Sequence, residues 1–199
     1  MASNKTVVAV ALLAAVAGAT ASLYFEPTVA MRLARTQVGQ QMLAWMGTPV
    51  EVPVGVIVGK RGDIVPKMTL KTTDGAEVQV PAAWTGKPTL VNLWASWCAP
   101  CLKEMPELDA YAREQGANGT QVVGIALDQP AAVKAFLREH GIGYPNLIDA
   151  PGPADAGVRL GNPAGVLPYT VLVSADGRIL KTRIGPFVDP DDIRGWARP

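Results

Sequence analysis

The only two cysteines of the chain, Cys98 and Cys101, stand three residues apart in "WCAPC". Such a pair can staple a fold, share a metal or cycle between dithiol and disulfide. Two cysteines cannot build the disulfide framework that small secreted domains depend on. With His140 as the sole histidine they also fall short of the usual four zinc ligands, and no Met or His ligands are spaced around the pair as soft-metal sites require. Redox cycling needs a thiolate, and the surrounding pattern supplies one. The apolar run "TLVNLWA" at 89–95 reads as a buried strand, and a helix follows from about Ala99 to Gln115. Cys98 therefore falls at a helix N-terminus, where unpaired N–H groups and the macrodipole favour the anion and lower the thiol pKa. Cys101 lies a turn deeper, within disulfide reach but farther from solvent, which makes it the resolving thiol. Between them Pro100 donates no N–H and fixes φ, so Ala99-Pro100 tunes how easily the disulfide is reduced.

The residues nearby have two readings each. Glu104, three beyond Cys101 and on its face of the helix, is placed to take the proton of Cys101 when that thiol attacks a mixed disulfide. Alternatively it is a carboxylate favoured in the opening turns of any helix. Of Trp94 on the strand and Trp97 before the nucleophile, one flanks the sulfur and the other packs inside, or both are core. His140 ends a helix just ahead of Gly141, where a cap and a favourable dipole contact give it a structural role.

The elements that must position these residues follow from turn signals and periodicity. "KMTLKTTDGAEVQV" is a hairpin turning at Asp74-Gly75. After the strand and helix around the cysteines, "NGTQVVGIALD" supplies a turn and a second buried strand ending at Asp128. A helix runs from Pro130 to a stop at Gly141. "YPNLID" is a short strand, "PADAGVRLG" a short helix, "YTVLVSADGRILKTRIG" a hairpin turning at Asp176-Gly177, and "DPDDIRGWA" a closing helix. Strands that alternate with helices and end in a hairpin imply an α/β sandwich with a mixed sheet.

Upstream, residues 6–25 form an uncharged run, "TVVAVALLAAVAGATASLYF", as long as a membrane-crossing helix. Residues 1–25 are read as an uncleaved anchor; a secretory signal cut after "ATA" and a buried helix are the alternatives. Residues 26–62 hold an amphipathic helix, with Met31, Ala34, Val38, Met42 and Trp45 on one stripe, and then a Gly-, Pro- and Val-rich linker. That stripe packs on its own domain or lies on lipid. The main domain spans 63–199. With 18 Lys+Arg against 17 Asp+Glu over 199 residues, the chain carries no footprint of a nucleic-acid binder.

Residues 63–199 resemble the thioredoxin-like superfamily, and within it the TlpA/ResA-type membrane-anchored thiol-disulfide oxidoreductases of bacteria. The resemblance is carried by "LVNLWASWCAPCLKEMP", "FLREHGIGYPNLID", "VLPYTVLVSADGRI" and the N-terminal hairpin. It implies a thioredoxin fold, a mixed central sheet flanked by helices, with an N-terminal β-hairpin added. It implies Cys98 as the attacking and Cys101 as the resolving cysteine, and Glu104 as the active-site acid. Pro168 matches the proline preceded by a cis peptide bond, which would bring the backbone of Leu167 beside the sulfurs to pair with substrate as a strand does. Asn92 stands where cytoplasmic thioredoxins carry a buried aspartate, leaving Glu104 as the remaining proton acceptor. Tyr169 departs from the Thr or Glu often found after the cis proline.

The implied function is a protein-disulfide reductase in the bacterial cytoplasmic membrane, its catalytic domain facing the periplasm or cell exterior. It would act on disulfide-containing proteins without cofactor or metal, bind no nucleic acid, and be re-reduced by a membrane electron donor. A dedicated reductase of apocytochrome c cysteines in cytochrome c biogenesis is the alternative within this class; a membrane-tethered metal-binding module is the alternative from another.

Overall fold

A computed structural model describes position 18, residues 33–34 and 36–47, and residues 49–198. The expected anchor at 1–25 lies outside the described residues apart from Gly18, and so does Met31 of the amphipathic stripe. Among the described residues no helix is long and apolar enough to cross a membrane. Contacts divide the chain into two units, Met1–Met42 and Leu43–Pro199. A helix α1 (Gln37–Met46) buries none of its residues.

Seven strands form one sheet in the unit from Leu43 onward: β1 (Met68–Thr72), β2 (Glu77–Val80), β3 (Thr89–Trp94), β4 (Gln121–Leu127), β5 (Asn146–Asp149), β6 (Tyr169–Val173) and β7 (Ile179–Ile184). Their order is β2-β1-β5-β4-β3-β6-β7. β3 pairs β4 and β4 pairs β5 in parallel, and every other pairing is antiparallel. The two parallel crossovers are made by α2 (Ala99–Gln115) and α3 (Pro130–Glu139), as parallel neighbours require. Helices α4 (Ala156–Arg159) and α5 (Pro190–Trp196) complete the domain. This is the mixed sheet flanked by helices that the order of elements implied. The hairpin β1–β2 turns at Gly75, whose φ of 97° only glycine takes easily, and joins the sheet through β1 and β5.

Strand β3 lies inside the sheet and is wholly buried, which explains its high apolar density. Period-two alternation divides its side chains. Leu90 and Trp94 enter a core with Cys101, Met105 and Leu108 of α2, Val133 and Phe136 of α3 and Ile193 of α5. Val91 and Leu93 enter the opposite core with Trp84, Ala156, Leu160 and Ile179. Asn92 shares the parity of Leu90 and Trp94 and so faces α2.

Residues 50–62, without regular structure, lie along this domain. Val50 N–H donates to Pro163 O at 2.9 Å, Gly59 N–H to Arg159 O at 2.9 Å and Gly62 N–H to Ile179 O at 2.8 Å.

Candidate redox site

The tip of β3 passes through Ala95, Ser96 and Trp97 before α2 begins. Asp128, at the end of the neighbouring β4, holds that loop: its Oδ2 accepts from Ser96 N–H at 2.9 Å and Ser96 Oγ at 2.6 Å. Burial raises the Asp128 pKa, but these bonds and one from Gln129 N–H outweigh it, and the carboxyl titrates below its ordinary value. Cys98 then caps α2. Its carbonyl accepts from Cys101 N–H at 2.9 Å and Leu102 N–H at 3.2 Å, and Pro100 sits in the first turn, where a missing N–H costs nothing.

Cys98 and Cys101 are joined as a disulfide with Cα atoms 5.3 Å apart. Cys98 is 5% exposed and Cys101 not at all. Of the two tryptophans, Trp97 is 70% exposed, whereas Trp94 is buried, its ring centroid 5.1 Å from that of Phe136 and its Nε1–H donating to Asn146 Oδ1 at 2.8 Å.

Across from the disulfide, the Leu167–Pro168 peptide is cis. Leu93 pairs with Tyr169 in the β3–β6 ladder, so continuing that register by two residues brings Leu167 level with Ala95, beside the cysteine loop. Leu167 packs against the apolar cluster that contains Cys98 and Cys101. A cavity of about 300 Å³, lined among others by Trp97, Leu167, Leu127, Val158 and Val50, opens next to this edge. Tyr169, the departure from the family pattern, turns to the opposite core and donates its hydroxyl to Leu160 O at 3.1 Å. Burial pushes its pKa up to about 12.

One turn beyond Cys101, Glu104 is 1% exposed. Its Oε1 accepts from Asn92 Nδ2 and its Oε2 from Phe187 N–H, each at 2.8 Å. Burial is the dominant influence and pushes its pKa up to about 7. The bonds from Phe187 and Asn92 and the charge of Arg183 restrain the rise, and Asp192 adds to it. Such a carboxylate exchanges a proton near neutral pH, the property a general base or acid needs. Asn92 Nδ2 also donates to Thr170 Oγ1 at 3.2 Å, while its buried Oδ1 has no partner among the described residues. An aspartate there would face Glu104 with a second negative charge; asparagine instead donates to it.

No local pattern announces the loop between β7 and α5 that supplies the Phe187 N–H, nor the Arg183–Asp192 pair behind it. The available signal was Arg183 itself, a charge in the "ILKTRI" strand at a position that turns out to be buried. Ser96 and Asp128 were missed as well, because their pairing spans 32 residues. His140 Nδ1 lies 3.1 Å from Phe136 O, and its ring stacks on that of Phe136 with centroids 4.0 Å apart. Among the described residues no group of three or more His, Cys, Asp or Glu side chains is arranged to hold a metal.

The chain is similar to known proteins over most of this domain. The family model described as Redoxin matches residues 60–195. The thiol-disulfide oxidoreductase ResA of Bacillus subtilis is 26% identical over 129 residues, covering 64% of this chain and 69% of ResA. The thiol:disulfide interchange protein HelX of Rhodobacter capsulatus is 38% identical over 107 residues, covering 52% of this chain and 56% of HelX. Among solved structures, a thiol:disulfide interchange protein of the thioredoxin family from Chlorobium tepidum superposes with a TM-score of 0.56 at 26% identity, over 70% of this chain and 97% of that one.

Proposed function

The chain belongs to the Redoxin family, and from that premise we propose that it is a protein-disulfide reductase working through Cys98 and Cys101. The observation that carries this is a Cys98–Cys101 disulfide at the start of a helix, one turn ahead of a buried carboxylate that titrates near neutrality. In the dithiol form, the Cys98 thiolate attacks one sulfur of a substrate disulfide. The substrate S–S bond breaks, and a mixed disulfide and one substrate thiol result. Cys101 then attacks Cys98 Sγ as Glu104 takes its proton; the second substrate thiol leaves, and two electrons have passed to the substrate. Trp97 and the Leu167-Pro168 backbone bind the substrate segment, and Ala99-Pro100 sets the ease of reduction. Support for the binding surface comes from the exposure of Trp97 and the apolar cavity it shares with Leu167.

The uncharged run at 6–25 supports a membrane anchor in residues 1–25, followed by the helix and linker of 26–62 and the redox domain of 63–199. The domain then faces the periplasm or cell exterior, where a membrane donor returns the two electrons. A substrate among apocytochrome c cysteines is the narrower form of the same proposal.

Insulin reduction followed by turbidity, with a chemical dithiol as donor, is expected from the wild type and abolished in Cys98→Ser. Equilibration against thiol buffers is expected to give a reduction potential near or below about −250 mV; a value near about −120 mV marks an oxidant and contradicts the reductase. A wild-type chain that fails to reduce insulin and instead binds metal, with the metal lost in Cys98→Ser, favours the metal-binding alternative.

A further inference from the structure

Arg183 reaches the redox site without touching the sulfurs. It lies on β7 opposite Thr170 and is only 7% exposed. Nη1 donates to Asp192 Oδ1 at 3.0 Å and Nη2 to Asp192 Oδ2 at 2.8 Å, a two-pronged pair in which neither side chain is more than about a tenth exposed. Nη2 also donates to Pro186 O at 2.9 Å, and the guanidinium carbon stands 4.4 Å from the centre of the Phe187 ring. One side chain thus grips the loop after β7 by a carbonyl and by the face of an aromatic ring. Asp192 grips it from the other end, where its Oδ2 accepts from Val188 N–H at 3.1 Å. Between these two grips is the Phe187 N–H that bonds Glu104.

On stability alone a buried ion pair is a poor investment, since desolvation offsets its attraction and apolar replacements often do as well. Here the pair stands behind a carboxylate and fixes the backbone donor that carboxylate uses. We propose that Arg183, tethered by Asp192, is a positioning residue for Glu104: it holds the Phe187 N–H on the carboxylate and by its charge keeps that carboxylate available to take the Cys101 proton. This rests on Glu104 being the acceptor for Cys101. The groups that bear on Glu104 are Asn92 of β3, the Phe187 N–H, Arg183 of β7, Asp192 of α5 and Tyr144 ahead of β5, while Cys98 and Cys101 stand at the start of its own helix. Tyr144 stays protonated, because burial and then the Glu104 and Asp109 charges raise its pKa.

The pair makes opposed predictions for its two members. Arg183 favours the ionised form of Glu104 and Asp192 disfavours it. Removing the arginine charge therefore moves proton acceptance to higher pH, and removing the aspartate charge moves it to lower pH. A purely structural pair gives shifts of the same sign, or none.

The test is stopped-flow reaction of the fully reduced full-length chain with dithiobis(nitrobenzoate) across pH. The first phase releases one aromatic thiolate as Cys98 forms the mixed disulfide, and the second releases another as Cys101 closes the intramolecular disulfide. Cys101→Ser lacks the second phase and identifies it. At about pH 6, Arg183→Gln is expected to slow the second phase about threefold or more and Asp192→Asn to speed it about threefold, with the rates converging at alkaline pH. Arg183→Lys keeps the charge and is expected to restore the wild-type midpoint even where the melting temperature falls. If the Glu104→Gln profile keeps the wild-type midpoint, Glu104 is not the acceptor, and the proposal falls with it. If Glu104→Gln removes the midpoint but the two partner variants shift together or not at all, Arg183 has no positioning role while Glu104 keeps its own. Should Arg183→Gln fail to fold, Asp192→Asn decides alone, and unchanged or slower closure at low pH overturns the proposal.

Discussion

At the scale of the residue, the proposed reaction divides its labour between two thiols and one acid. Cys98 has the helix N-terminus and a trace of exposure; Cys101 has neither, so its proton needs a nearby acceptor. Glu104 suits that task because burial brings its pKa to about 7, whereas an exposed glutamate would be too weak a base. Glu104→Gln is therefore expected to slow closure of the intramolecular disulfide by about a hundredfold near neutral pH and to leave attack by Cys98 nearly unchanged, measured as the two phases of thiolate release. Loss of both phases together would point to a collapsed site instead. The cysteine pair was legible in the residues themselves because it forms a compact motif, whereas Glu104 and Pro168 stood out only through the family resemblance. Phe187 was not, since what it contributes is a backbone N–H, which any residue but proline possesses. Nor was Arg183, whose partner lies nine residues on and on a different element.

Elements were more legible than contacts, and the reason is their local origin. The hairpin turns at Asp74-Gly75 and Asp176-Gly177, the Pro130 start and the strand ahead of Cys98 all follow from signals a few residues long. The union of the β1–β2 hairpin with β5 has no such signal: Lys71 and Thr72 meet Ile148 and Leu147 across more than seventy residues. Gly124 on β4 shows how such distant pairing constrains a single position. A Cβ there would fall on the Asn146 side-chain oxygen, the acceptor of the Trp94 indole N–H, with that indole nitrogen 3.1 Å away. Neither backbone strain nor a turn accounts for this glycine; the space is already taken. Gly124→Ala is expected to destabilise the domain by about 1–3 kcal/mol in urea unfolding and to alter the Trp94 fluorescence. An unchanged midpoint would show that the Trp94–Asn146 pair can move aside at no cost.

For the molecule as a whole, the chemistry sets a condition on stability. Glu104 binds its proton more tightly in the folded chain than in the unfolded one, with a pKa of about 7 against an ordinary 4.5. Below both values the group contributes no pH dependence. Between them the folded state holds a proton that the unfolded state has released, so stability falls as pH rises, by ~3 kcal/mol at most, and levels off above about 7. Denaturation midpoints across this window should show the decline in the wild type and lose it in Glu104→Gln. The slope is the diagnostic quantity, because glutamine offers a single acceptor to the two donors, Asn92 and Phe187, and so changes absolute stability as well. A carboxylate kept at that cost is consistent with a domain built to pass electrons between disulfides. The most direct test of that claim is to incubate reduced Cys101→Ser with a disulfide-bonded protein substrate and map the product by mass spectrometry. A stable mixed disulfide through Cys98, absent from Cys98→Ser, is the predicted result; no adduct, or an adduct that forms equally well on Cys101 when Cys98 is replaced, would contradict it.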